Sequence, residues 1–385
     1  MLRYSRQTIS KKDIEGVTSV LRSDFLTQGP KVPEFEKKII KYTSARYCAA
    51  VNSASSALYI ACKALKLKNN DIIWTVTNSF VASANCILLS GHKIDFVDID
   101  NETWNISLDK LEKKLVKTKR NKKLPKAVII VHLAGLPVDP KKIKLLSKKY
   151  KFKIIEDASH SIGSEYYGEK VGSCKWSDMC VFSFHPVKII TTGEGGCVMT
   201  NNKIYYERMK LIRNNGITNE TKNFKNKKIG PWYYEQQDIG FNFRMNDMQA
   251  ALGISQLKRI NLFVRLRNKI ADIYKKELKE LPLNFQRIDK YYLSSYHLFI
   301  IKIKNKIIYK SFFEYLRKNK IFTNLHYLPI HLHPFYQNLG YKKNDFPNSE
   351  NYSSRALSIP IYPNLKYKDQ FKVINLIKNF FKKNN

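Results

Sequence analysis

The chain has 385 residues, 43% of them hydrophobic and 12% aromatic, with 68 Lys plus Arg against 32 Asp plus Glu for a formal charge of +36. That length and apolar content exclude a single small core and a disordered chain, and they predict two domains of unequal size. The basic residues lie in short scattered clusters ("KKIIK", "KTKRNKK", "FFKKNN") without zinc-finger spacing or an aromatic-basic run, so the charge reads as a solvated basic surface and not as a specific nucleic-acid site.

The first sixteen residues hold no apolar signal-like core, and the longest apolar run, around "AVIIVHLAGLPV", falls short of the roughly 18 residues of a membrane span. None of the six cysteines (48, 62, 86, 174, 180 and 197) forms a C-x-x-C pair, and most sit in apolar runs. Buried free thiols in a cytoplasmic protein are expected.

From residue 46 the pattern alternates. "RYCAAV" reads as a strand and "SASSALYIACKAL" as a helix; "DIIWTV" and "SFVASANCILLSG" repeat the pair. "KIDFVDID" then precedes the Ser-capped helix "SLDKLEKKLVK", and "KAVIIVHL" precedes "DPKKIKLLSKKY", with Pro in its first turn. "FKIIEDA", "DMCVFSFH" and "GGCVMT" complete the strands. Apolar strands alternating with amphipathic helices predict a mostly parallel sheet covered on both faces. A helix is expected over 202–215 and a polar loop over 217–240. One long linking helix is expected from Asn246 to Leu278. Beyond it come a strand "YHLFIIKI", a helix "SFFEYLRKN", a strand "IFTNLHY" and helices near "NSENYSSRALS" and "KDQFKVINLIKNFF", a smaller α/β unit. The expected division is 1–250 for an N-terminal arm and large domain, and 251–385 for the linking helix and small domain.

In open parallel sheets function collects at the carboxyl ends of strands. Asp157 ends "KFKIIED". It is either a cap or a charge placed to hold a ring nitrogen protonated. The turn "NSASSAL" (52–58) joins a strand to a helix through small hydroxyl residues, which suits an N-cap and equally suits a phosphate at the positive helix end. Phe80 is a core aromatic or a ring to stack on a flat cofactor. Lys188 lies in "FHPVKIITTGEGG" with few charged neighbours, an environment that lowers an amine's pKa toward the neutral form Schiff-base chemistry needs. A snorkelling lysine is the alternative. Ser183, five residues earlier, offers a hydroxyl. His326, His331 and His333 lie in a Pro-containing segment without a nearby carboxylate or thiol, so a substrate loop is expected there and no metal.

Asp157 upstream of Lys188, after a small-residue helix start, resembles the fold-type I pyridoxal phosphate enzymes. The stretches "SDFLTQGPKVPEFE", "VNSASSAL", "NSFVASAN", "VHLAGLPVD", "EDASHSIGSEYYGEKVGS", "SFHPVKIITTGEGG" and "DIGFNFRMNDMQAALG" resemble the DegT/DnrJ family of nucleotide-sugar aminotransferases along essentially the whole chain. "YSRQTI", "SFHPVK" and "HYLPIHLHPFY" resemble its pseudaminic acid branch most. One departure is that many relatives carry Gly-Thr where this chain has Ser55-Ser56; a Ser hydroxyl still donates.

The resemblance implies a large domain with a seven-stranded, mostly parallel sheet, a small C-terminal α/β domain, and the cofactor pyridoxal 5'-phosphate. It implies Lys188 as the Schiff-base lysine and acid/base, and Asp157 on the pyridinium nitrogen. His160 is placed near the ring hydroxyl and Phe80 on the ring face. Ser55, Ser56 and Ser183 fall on the phosphate, with Asn242 reaching the phosphate of a partner subunit in a homodimer. Thr27, His185, His326 and Tyr327 become sugar or nucleotide contacts. The implied reaction moves an amino group from L-glutamate to C4 of UDP-2-acetamido-2,6-dideoxy-β-L-arabino-hexos-4-ulose, another nucleotide-keto-sugar being the alternative. Related dehydratases lack the lysine, and Lys188 speaks against that chemistry.

Overall fold

A computed structural model describes residues 1–120, 123–226 and 230–384. A short strand β1 (Leu2–Arg3) leads into helices α1 (Lys11–Leu21) and α2 (Lys31–Thr43). The alternating region then unfolds as expected: β2 (Tyr47–Val51), α3 (Ala54–Ala64), β3 (Ile72–Val76), α4 (Ala82–Leu89), β4 (Lys93–Val97), α5 (Leu108–Arg120), β5 (Ala127–Val131), α6 (Pro140–Tyr150) and β6 (Lys153–Asp157). A hairpin, β7 (Glu165–Tyr166) and β8 (Glu169–Lys170), precedes β9 (Met179–Ser183), β10 (Gly196–Thr200) and α7 (Lys203–Ile212).

Seven strands form one sheet in the order β2-β10-β9-β6-β5-β3-β4. Only β10 runs against its neighbours. Its inner strands are apolar at every position or nearly so ("AVIIV", "MCVFS"), because helices cover both faces. One face buries Trp74, Val128, Ile130 and Ile154, the other Ile73, Ile129, Ile155 and Val181. The period of two along each strand therefore divides the two cores.

The expected loop over 217–240 includes residues 227–229, which lie outside the described residues. On either side of them β11 (Ile217–Thr218) and β12 (Glu235–Gln236) pair antiparallel. The long helix expected from Asn246 is two helices, α8 (Asp247–Leu257) and α9 (Ile260–Leu278). The break falls where two side chains turn away to bind Asp13: Gln256 Nε2 donates to its carboxylate at 2.9 Å, and Arg259 forms an ion pair with it. The first half of α9 (Ile260, Phe263, Val264) packs on the large sheet, and the second half (Ile270, Ala271, Tyr274, Leu278) joins the core of the small domain.

That domain holds β13 (Leu283–Phe285), β14 (Tyr292–Leu293), β15 (Phe299–Ile303), α10 (Tyr309–Lys318), β16 (Ile321–Phe322), α11 (Pro334–Gln337), α12 (Pro347–Ser353), β17 (Ala356–Ile359) and α13 (Tyr367–Lys383). Strands β13, β15 and β17 make its sheet, while β14 extends the β7–β8 hairpin of the large domain. The helix expected over "NSENYSSRALS" ends at Ser353, and "ALSI" is the strand that pairs with β15, Ile300 opposite Ser358. "IFTNLHY" pairs as a strand only at Ile321–Phe322, parallel to β1. From there the chain bends toward the large sheet.

Candidate active site

Asp157 and Ser183 are the last residues of β6 and β9, so the parallel sheet delivers both to one edge. Beyond Ser183 the chain makes a tight return. Lys188 donates its backbone N–H to the His185 carbonyl (2.9 Å), and the Thr192 backbone N–H and the Thr191 hydroxyl both donate to the Phe184 carbonyl (2.9 Å each). Gly193 takes φ +82°, the left-handed conformation that favours glycine. A Cβ on Gly196 would come 2.7 Å from the Ala54 nitrogen, so this glycine lets the start of α3 lie directly against β10.

These elements enclose a cavity of about 540 Å³. Its lining includes Ser53, Ser55, Ser79, Phe80, Asp157, His160, Ser183, His185, Lys188, Glu194, Asn324, His326 and Tyr327. Nine of these are expected from the sequence: Ser55, Phe80, Asp157, His160, Ser183, His185, Lys188, and the pair His326–Tyr327 from the small domain. Tyr4, Ser79, Glu194 and Asn324, which also line the cavity, are not. Glu194 lies inside the quoted "TTGEGG" and could have been noted there. Tyr4 and Asn324 carry no local signal, because the β1–β16 pairing brings them to the site.

The remaining expected residues lie elsewhere. Ser56 does not line the cavity. Its hydroxyl donates to Asn52 Oδ1 at 2.7 Å and its N–H to the N-cap Ser53 Oγ at 3.1 Å, so both donors are spent inside the turn. Thr27 is exposed and pairs through its backbone with Asn246. Asn242 is exposed and pairs with Asn214. His331 is buried with its Nε2 3.0 Å from Glu350.

The Asp157 carboxylate is 5% exposed and faces donors alone: the Ser83 hydroxyl at 2.6 Å on one oxygen, the Ser159 N–H at 3.1 Å and its hydroxyl on the other. No cation touches it among the described residues. A buried carboxylate in that setting suits a protonated ring nitrogen. Burial pushes the Lys188 amine down to about 8, against the opposing pull of Asp157 and Glu194. At neutral pH a usable fraction is therefore neutral. Burial and the Lys188 charge hold His160 well below the usual imidazole range. Its Nδ1 accepts the Ala134 N–H (3.2 Å), which leaves the proton on Nε2, 3.1 Å from the Tyr327 hydroxyl. His326 is pushed down to about 3 by burial and by Lys188, so it is a neutral ring. At the mouth Phe80 is 58% exposed, its ring 6.1 Å from that of Tyr327 and tilted by 53°, with a face open to a flat ligand.

The positive end of α3, capped by Ser53, meets the cavity, whose lining also holds Ser55 and Ser183. It suits a phosphate. A lysine with a lowered pKa, a buried carboxylate, an open aromatic face and a phosphate cradle around one cavity define a fold-type I pyridoxal-phosphate-dependent transferase. The match extends over nearly the whole molecule: the model of the DegT/DnrJ/EryC1/StrS aminotransferase family covers residues 7–378, and the chain belongs to that family.

The chain is 37% identical to the UDP-4-amino-4,6-dideoxy-N-acetyl-beta-L-altrosamine transaminase of Campylobacter jejuni strain 81-176, over 96% of this chain and 94% of the relative. Helicobacter pylori PseC, an aminotransferase involved in the biosynthesis of pseudoaminic acid, superposes with a TM-score of 0.90 at 32% identity, covering 99% of each chain. The PLP-form of the putative sugar aminotransferase Spr1654 from Streptococcus pneumoniae gives a TM-score of 0.89 at 26% identity, covering 98% of each. The protein is a transaminase acting on nucleotide sugars, and its cofactor is pyridoxal 5'-phosphate.

Proposed function

We propose that the protein transfers an amino group from L-glutamate to C4 of a UDP-4-keto-6-deoxy-N-acetylhexosamine, UDP-2-acetamido-2,6-dideoxy-β-L-arabino-hexos-4-ulose, as in pseudaminic acid biosynthesis. The observation that carries the chemistry is the convergence of Lys188 and Asp157 on one cavity. The likeness to the altrosamine transaminase supports the choice of sugar.

Pyridoxal phosphate, when bound, supplies an electron sink for the bonds around the transferred nitrogen. The protein's residues do the rest. Lys188 supplies the neutral amine that anchors the cofactor, then carries a proton to sugar C4 as acid/base. Asp157 holds the ring nitrogen protonated. His160, its Nε2 held by the Tyr327 hydroxyl, would lie near the ring hydroxyl, and Phe80 would cover the ring face. Ser55 and Ser183 hold the phosphate at the α3 N-terminus. His185, His326 and Tyr327 contact the sugar nucleotide.

Two copies complete the site in this reading. Asn242 lies outside its own chain's cavity and is exposed, as are the nearby chain residues Ile239 and Phe241, which supports a partner subunit there. Thr27 is assigned to the nucleotide on the same basis. The six free, buried thiols support a cytoplasmic setting. Among the described residues no helix is long and apolar enough to cross a membrane.

The test is a single-turnover assay of the glutamate-loaded enzyme against UDP-, dTDP- and GDP-linked 4-keto sugars. Fastest turnover of the UDP-linked acetamido sugar is expected. A dTDP- or GDP-linked sugar reacting much faster would replace this substrate with another nucleotide-keto-sugar.

A further inference from the structure

The group that holds Asp157 is itself held. Ser83 is the second residue of α4, and its N–H is already satisfied by the Phe80 carbonyl at 3.2 Å. Its side chain is 0% exposed, and its oxygen lies 2.6 Å from Asp157 Oδ2 and 2.7 Å from Ser79 Oγ. A hydroxyl has one proton and two lone pairs. The Ser83 hydroxyl donates to Asp157, so its one proton is spent there. The Ser79 contact is then fixed in direction: Ser79 donates and Ser83 accepts. Ser79 lines the cavity, so a two-hydroxyl chain starts at the cavity wall and ends on the carboxylate.

We infer that Ser83 is a positioning residue for the transamination, acting with Ser79 through Asp157. This rests on the proposed pairing of Asp157 with the cofactor's ring nitrogen. Ser83 and Ser159 grip opposite oxygens, which fixes the carboxylate plane. Because each gives a proton and takes none from it, the carboxylate is maintained as an acceptor toward the cavity. Without Ser83, one oxygen loses its sole side-chain donor and the proton of the ring nitrogen is drawn toward the carboxylate. The buried neighbour Cys86 gives no substitute, since its Sγ points to the Ser83 carbonyl at 3.4 Å.

The test loads the wild-type enzyme, Ser83→Ala, Ser83→Thr and Ser79→Ala with pyridoxal phosphate enriched in ¹⁵N at the ring nitrogen. NMR then reads the protonation of that nitrogen from pH 6 to 9, and fluorescence titration gives the cofactor's dissociation constant. Ser83→Ala is expected to move the ¹⁵N signal toward the neutral-pyridine position and to weaken cofactor binding about tenfold, the size of a lost charge-assisted hydrogen bond. Ser83→Thr keeps the hydroxyl and restores both. Ser79→Ala shifts the signal the same way by less.

A wild-type signal reproduced by Ser83→Ala overturns the inference, as does a shift that Ser83→Thr fails to reverse. If Ser83→Ala does not fold, an unmoved signal in Ser79→Ala overturns it. A neutral ring nitrogen in the wild type instead overturns the Asp157 assignment on which the inference rests.

Discussion

The two sides of the cavity are built in different ways. One side is local: Asp157, Ser183 and Lys188 come from two neighbouring strands and the turn that follows, with α3 laid against them by Gly196. The other side is assembled from afar. Tyr4 reaches the cavity because β1 pairs with β16, and Asn324, His326 and Tyr327 follow directly after that pairing. The N-terminal arm is also tied to the lysine turn, where the Ser5 hydroxyl donates to the Val187 carbonyl at 3.0 Å. The proposed cofactor side is thus carried on the edge of the large sheet, and the proposed sugar side on segments joined through the β1–β16 pairing.

The sharpest way to break this comparison is Lys188→Ala. Overall turnover is expected to fall about 10⁴-fold, the upper range for losing a positioned acid/base, and borohydride should no longer fix the cofactor to the protein. A variant that retains a tenth of the activity would remove Lys188 from the chemistry. Asp157→Asn is expected to lower both half-reactions about a hundredfold, equally for glutamate and for sugar, in stopped-flow traces. A loss confined to the sugar half would move Asp157 to the other side of the cavity.

The next effect is one of pH. The amine of Lys188 is lowered to about 8 by burial, so its neutral fraction grows as pH rises through that value and is small below it. The rate at which cofactor-free protein takes up pyridoxal phosphate should rise with a midpoint near 8. A midpoint near the ordinary lysine value would show that the cavity leaves the amine solvated. Tyr327→Phe, on the substrate side, should leave the glutamate half-reaction within about twofold and slow the sugar half-reaction about tenfold, the weight of one hydrogen bond to a bound substrate. The smallest expected effect is that of Ser5→Ala. It removes one hydrogen bond worth about 1 kcal/mol, and scanning calorimetry should show a fall of about 2 °C.

What could be read from the sequence follows the same division. The βα alternation, the seven-strand sheet and the placing of Asp157 and Lys188 depend on periodicity and strand ends, which neighbouring residues determine. The break between α8 and α9 does not. Apolar spacing continues across Lys258–Arg259, and the interruption comes from Asp13, a residue of a distant helix. The end of "NSENYSSRALS" reads as helix because no Gly or Pro interrupts it, yet Ala356–Ile359 is a strand because β15 offers it an open edge. Ser83 was invisible for a similar reason: a serine in an apolar helix start looks like a cap until the strand it faces is known.

The parallel pairing of Leu2 with Ile321 also orders the events of folding. A contact that spans almost the whole chain carries a large loop-closure cost and gains nothing until both ends are in place. The sheet edge with Lys188 can therefore be complete while the Tyr4 strand is still unattached.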